Sequence, residues 1–332
     1  MTGGEILLLG DINIDTIWPV SEFPVPGRDG LTKAVSVEAG GAVVNSAVIL
    51  DNLGQNTGLL GCVGKDVWSE QVTQKLAHTT INQNYIRVKP NSSTGLTFII
   101  VTPDGERTMF SHRGANTQLE PRDIVEDAFR KAGLLHISGY ALLESPQKDA
   151  VWRAVELAKK YHIPISLDTG LEPVVRDPDE IRRLLPELTI CITGPQEIAV
   201  LFENSPFDEA AEKMASLGIQ LVAIKLGEKG CYVVNEKERL SYPSFPVEAV
   251  DTTGAGDSFT AGLLYGWRKG LSLSASAALA SALGALAASV YGAGSSLPGK
   301  QRILDFLRSV RIRSTAFQQN SIDEVITVLE KN

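Results

Sequence analysis

Short, mostly apolar runs alternate with amphipathic stretches along most of this chain. The runs at residues 6–9, 59–63, 134–138, 163–168, 190–193, 221–226 and 231–234 are rich in Ile, Leu and Val. Near-continuous apolar strands have both faces covered. Between most of them, residues 43–53, 68–77, 124–131, 147–161, 178–185 and 206–217 place apolar side chains at helical spacing. This alternation predicts an α/β fold in three layers, with a mainly parallel central sheet flanked by helices.

Two stretches break the rhythm. Residues 14–37 hold three prolines between extended pieces, and residues 85–112 are alternating and β-rich. A Pro103-Asp104-Gly105 turn predicts a hairpin between residues 96–102 and 107–111. Without helices to cover them, these strands are expected to form a small sheet projecting from the edge of the main one. Residues 270–299 lack any charge, but they are mostly Ala, Ser and Gly, with Leu279, Leu283, Leu286 and Val290 on one stripe. A close-packed core helix is expected there rather than a membrane span. Residues 300–332 carry two amphipathic helical patterns.

Composition narrows the function classes. The 332 residues suffice for one large domain with a small appendage, and the formal net charge of −8 disfavours general nucleic-acid binding. Cys62, Cys191 and Cys231 lack metal-ligand spacing, so buried thiols in a reducing compartment are expected. The first residues lack an export pattern, so a cytoplasmic protein is expected.

The chemistry concentrates in Asp251-Thr252-Thr253-Gly254-Ala255-Gly256-Asp257-Ser258. Residues 258–267 follow with Phe259, Leu263, Leu264 and Trp267 on one helical face. A glycine turn opening a helix aims unpaired N–H groups and the positive end of the helix dipole at one point, which suits phosphate. A carboxylate in that first turn, Asp257, would stand beside the anion and could accept a proton from an attacking hydroxyl. Taken alone, such a glycine turn is commonly a plain helix start. A second turn, Gly40-Gly41, opens the helix that carries Asn45, and Gly10-Asp11-Ile12-Asn13-Ile14-Asp15 leaves the first strand.

Together these segments resemble the signatures of the ribokinase-like (PfkB-type) carbohydrate kinases. The resemblance implies a ribokinase-like fold and ATP-dependent phosphorylation of a sugar hydroxyl. Asp257 would be the general base, with the backbone of Gly254, Ala255, Gly256 and Asp257 as anion hole. Sugar contacts would come from Asn13, Asp15, Gly40, Gly41, Asn45 and Glu144, although a surface acid fits the Glu144 position equally well. Lys225, Gly227 and Gly230 would line the ATP phosphates and ribose. Glu197 would hold Mg²⁺ through water. Asp251, Thr253 and Ser296 would hold K⁺, though surface turns can share their composition. The large domain would span residues 1–11, 38–84 and 114–332. The lid would span 12–37 and 85–113, closing over the sugar and pairing with a second copy in a homodimer. The expected partners are a small sugar and ATP, with neither nucleic acid nor membrane.

Three positions depart from the family pattern. Gly194 and Gly170 stand where relatives usually carry Asn, and Ala42 stands where typical ribokinases carry lysine. The last change is shared with fructokinase-like members and points away from ribose. Two alternatives stay open. One is a nucleoside kinase of the same family, stacking a base on Ile12, Ile14, Ile17, Trp18, Phe98 or Ile100. The other is a non-catalytic sugar-binding or regulatory protein, for which Gly194 is the only support.

Overall fold

In the computed structural model, which describes residues 3–103 and 107–331, each of the seven apolar runs forms a strand. The strands are β1 (Glu5–Leu9), β2 (Asn13–Pro19), β3 (Ser36–Gly40), β4 (Thr57–Gly64), β5 (Ile86–Lys89), β6 (Gly95–Val101), β7 (Arg107–His112), β8 (Ala132–Ser138), β9 (Ile165–Asp168), β10 (Ile190–Thr193), β11 (Leu221–Lys225), β12 (Cys231–Asn235) and β13 (Arg239–Tyr242). The helices are α1 (Ala42–Asn52), α2 (Val67–Leu76), α3 (Glu126–Phe129), α4 (Gln147–Lys160), α5 (Leu171–Arg176), α6 (Pro178–Leu184), α7 (Pro195–Leu201), α8 (Phe207–Ser216), α9 (Ala255–Lys269), α10 (Leu273–Ala288), α11 (Lys300–Arg311) and α12 (Ala316–Lys331).

Nine strands form the main sheet in the order β13-β12-β11-β10-β9-β8-β1-β4-β5. The pairs from β11 to β5 are parallel, while β12 and β13 add antiparallel neighbours. Alternate side chains of β1 divide between two cores. Ile6 and Leu8 join the layer built by α1, α9, α10, α11 and α12, and Leu7 and Leu9 join the layer built by α4, α6, α7 and α8. This is the covered-on-both-faces arrangement that the apolar runs predict.

The uncharged segment folds as α10, packed closely on α9. A Cβ at Gly262 would lie 2.8 Å from the Ala280 Cα, and one at Gly266 would lie 2.5 Å from the Ser276 hydroxyl. Small residues at these points let the two helices approach. Among the described residues, no helix is long and apolar enough to cross a membrane.

A second, smaller sheet, the one expected to form the lid, has the order β3-β2-β6-β7. The grouping of residues 85–113 with the lid is too wide. The β5 strand pairs in parallel with β4 and extends the main sheet as its edge. Of the predicted turn at 103–105, Asp104 and Gly105 lie outside the described residues. The helix expected over 124–131 shortens to α3, because the chain enters β8 at Ala132 to pair with β1.

Candidate active site

The α9 helix starts at Gly254, which takes a left-handed φ of 75° and has no side-chain cap. The N–H of Ala255 turns back to the Thr252 carbonyl at 3.2 Å. That bond removes Ala255 from the expected set of anion-hole donors. Among the described residues, the N–H groups of Gly256 and Asp257 have no protein acceptor. Asp257 stands in the first turn, half-buried, where the helix dipole favours an anion. Burial nevertheless pushes its carboxyl up to about 6, with Asp168 adding to the rise, while the Asn45 amide, Lys225 and Arg107 oppose it.

The residues expected on the sugar side meet Asp257 through α1. Asn45 donates to Asp257 Oδ2 at 2.8 Å and accepts from the Gly294 N–H at 2.9 Å. Ser46 donates to the Asp257 carbonyl at 3.0 Å. Asp15 reaches the same region from β2, and its Oδ1 has no partner among the described residues. Burial holds the Asp15 carboxyl at about 7, against the Thr97 hydroxyl and the Gly41 N–H, with the nearby Asp257 charge adding to the rise. Its carboxylate lies over Gly40, where a Cβ would come within 2.0 Å of Asp15 Oδ2. An orphaned buried carboxylate oxygen is a ready acceptor for a ligand hydroxyl. Asn13 accepts from the fully buried Asn116 at 2.8 Å.

Glu144 is tied elsewhere. Its Oε1 accepts from Arg113 at 3.0 Å, and Arg113 also forks onto Asp11 at 2.8 and 2.9 Å. Gln147 closes this network by donating to Asp11 at 2.8 Å.

On the opposite side, Lys225 at the end of β11 donates to both Asp168 oxygens, at 2.9 and 2.8 Å. Its Nζ is the nearest atom to a Cβ built on Gly256, at 3.6 Å. Gly227 (φ 60°) and Gly230 (φ 94°) shape the following hairpin. Gly230 must be glycine, because a Cβ would lie 2.0 Å from the Tyr242 carbonyl oxygen, whereas Gly227 faces open space.

Asp251 is fully buried and accepts from the N–H groups of Thr253 (2.9 Å) and Gly292 (3.0 Å). The Thr253 hydroxyl is buried without a partner among the described residues. Ser296 lies beside Gly292, its Oγ 3.0 Å from a Cβ built there. Glu197, in the first turn of α7, folds back over its helix start, 2.5 Å from a Cβ built on Gly194. Among the described residues, no cluster of three or more His, Cys, Asp or Glu side chains is placed to hold a metal ion.

Lid register decides which lid residues face this centre. Cross-strand pairs Asp15–Thr97, Ile17–Ile99, Thr97–Ser111, Ile99–Met109 and Val101–Arg107 share one face. Arg107 on that face donates to the Thr252 hydroxyl at 2.6 Å. Trp18 and Phe98 lie on the other face with Phe110, while Ile12 and Ile14 are buried in the main core. Most of the apolar residues offered as a base platform therefore point away.

The structure thus gathers Asp15, Asn45, Lys225, Asp251, Thr253, Gly254, Gly256 and Asp257 about one point, and sets Glu144 in a separate ionic network. Sequence reasoning missed Asn116 and Tyr140, gave Arg107 no place among the site residues, and noted Asp168 only for its neighbour Gly170. Tyr140 is 38% exposed beside Gly170, and burial with the charge of Asp257 raises its hydroxyl pKa. No local pattern marks a contact made across many intervening residues.

The profile of the pfkB family carbohydrate kinases matches residues 4–300. Probable fructokinase-3 of Arabidopsis thaliana is 30% identical over 327 residues, covering 94% of each chain. A putative ribokinase II from E. coli, in complex with ATP and Mg²⁺, superposes with a TM-score of 0.83 at 24% identity, covering 92% of this chain and 99% of that one. Arabidopsis thaliana ribokinase, complexed with ribose and ATP, gives a TM-score of 0.76 at 25% identity, covering 92% and 98%. With the family profile matching nearly the whole chain, and a mainly parallel sheet beside a smaller one in agreement, the chain belongs to the pfkB family of carbohydrate kinases.

Proposed function

We propose that this carbohydrate kinase transfers the γ-phosphoryl group of ATP to a hydroxyl of an uncharged sugar, with Asp257 as general base. The observation that carries the reading is the Asn45–Asp257 contact at 2.8 Å, which joins the sugar-side helix to the first turn of α9. Asp15 and Asn45 bind and orient the sugar hydroxyls. Asp257 accepts the proton of the attacking hydroxyl. The N–H groups of Gly256 and Asp257, with Lys225, meet the negative charge of the transferring group. A lid closed over Asp15 keeps water out.

Glu197 would hold Mg²⁺ through water, and Asp251, Thr253 and Ser296 would hold K⁺, the orphaned Thr253 hydroxyl being a spare oxygen for that ion. When bound, these cations reduce the charge on the phosphates. A phosphosugar would need a further cation. Arg113 is held by Asp11 and Glu144, and Arg107 turns to Thr252. One observation favours a nucleoside as second reading: the Tyr140 ring is partly exposed within the electrostatic reach of Asp257 and could stack a base. The exposed Phe110 of the outer lid face, beside Phe98, supports a homodimer through the lid, for which sedimentation of a Phe110→Glu variant is the check.

The test is ATP-dependent ADP release against ribose, fructose, ketodeoxygluconate and nucleosides, with and without K⁺. Turnover on a neutral sugar supports the reading, and turnover confined to nucleosides favours the second. Silence on every acceptor, with sugar binding still seen by calorimetry, would contradict both.

A further inference from the structure

Asp168 has no part in the scheme above, yet it is built into the centre. It ends β9, is largely buried, and uses both oxygens on Lys225. Its Oδ2 also accepts from the Thr260 hydroxyl at 2.7 Å, and Thr260 lies one turn after Asp257 on α9. An ammonium has three donors. Two go to Asp168, and the third remains for the space beside Gly256, where Nζ is the nearest neighbour.

Resting on the kinase reading, we propose that Asp168 is a positioning residue. With Thr260 it holds Lys225 charged and aimed at the anion hole, and it acts on phosphoryl transfer only through that lysine. The other groups facing Lys225 are the carboxylates of Asp257 and Glu197. His136 and Cys191 lie in the neighbouring strands and are neutral, since burial pulls the imidazole down to about 4 and pushes the thiol up to about 12. Burial alone would also pull the Lys225 ammonium down, and the Asp168 charge and hydrogen bonds, together with the charges of Asp257 and Glu197, reverse this.

The experiment is a double-mutant cycle, run with ATP and the acceptor that supports turnover. Lys225→Met and Asp168→Asn are each expected to lower kcat/KM for ATP roughly a hundredfold, leaving the sugar KM within about twofold. The double variant should be no worse than Lys225→Met, because Asp168 has nothing left to position. Asp168→Asn should also bring an alkaline loss of activity at lower pH than in the natural chain. Adding Lys225→Arg should remove that loss, since arginine keeps its proton. Thr260→Val leaves every charge in place and guards against misfolding. It should reduce kcat/KM for ATP by about fivefold in the natural background and not at all beside Lys225→Met. Losses that multiply in the double variant, or an alkaline limb that does not move, would overturn the proposal. Normal turnover by Asp257→Asn would instead sink the base assignment, so the two failures are told apart.

Discussion

Helices α1 and α9 begin alike and present different groups. Both start at a glycine with positive φ, 96° at Gly41 and 75° at Gly254, and neither has a side-chain cap. Their difference lies in the first-turn side chains and in what surrounds the glycine. The α1 start carries no acid and presents Asn45, while α9 presents Asp257. Gly41 is also locked by its surroundings, since a Cβ would lie 2.2 Å from the Asp11 carbonyl oxygen. Around Gly254 the nearest atoms are side chains of Leu297 and Asn45, at 3.5 and 3.6 Å. One glycine is therefore demanded by packing and the other by backbone conformation at a site that must stay open. A glycine turn at a helix start becomes a site only through the polar groups beside it.

The sharpest way to break this contrast is to add a methyl group at each start. Gly41→Ala should destabilise the protein by about 3 kcal/mol or more, from strained φ and the backbone clash together. Gly254→Ala meets only the strain, about 1 kcal/mol, and should lose turnover rather than stability. Urea denaturation of both variants is the check, and equal losses would erase the distinction.

Asp15 supplies a smaller effect with a definite sign. Its carboxyl is held at about 7, so the folded chain keeps a proton that the unfolded chain releases above the ordinary carboxylate range. The folded state binds more protons in this window. Its contribution is therefore complete below the unfolded value near 4 and is lost as pH rises through about 7. Asp15→Asn should stabilise the protein at pH 8 by on the order of 2 kcal/mol, and by much less at pH 5, while raising the sugar KM. Denaturation at the two pH values reads it, and an equal difference at both would contradict the burial argument.

Asn45 gives the smallest shift. Asp257 must be ionised to accept a proton, so activity should rise with pH through about 6. The Asn45 amide favours the ionised form. Asn45→Ala should therefore move the acid limb of the pH–rate profile upward by about half to one unit. A limb that stays in place would separate Asn45 from the base.

Much of this was legible in the sequence because it is local. The seven apolar runs, the α10 stripe of small residues and both glycine turns are patterns within a dozen positions. What escaped depends on pairing across the chain. Lys225 meets Asp168 at a separation of 57 residues, and Arg113 meets Asp11 at 102. Neither partner is marked by periodicity, and each charge was therefore read without the group that neutralises it. The short α5, with Pro173 inside it, escaped for the opposite reason, having too few residues to show a period. Lid register was likewise hidden. Only the observed pairs show that Arg107 faces the loop at Thr252 while Phe98 does not.

The central claim is that Asp257 takes the proton during phosphoryl transfer. ATP-dependent ADP release by Asp257→Asn, with sugar binding measured in parallel by calorimetry, tests it most directly. The account predicts turnover lowered on the order of a thousandfold with sugar affinity retained. Turnover within about tenfold of the natural chain would contradict it, because removal of a general base leaves a larger deficit.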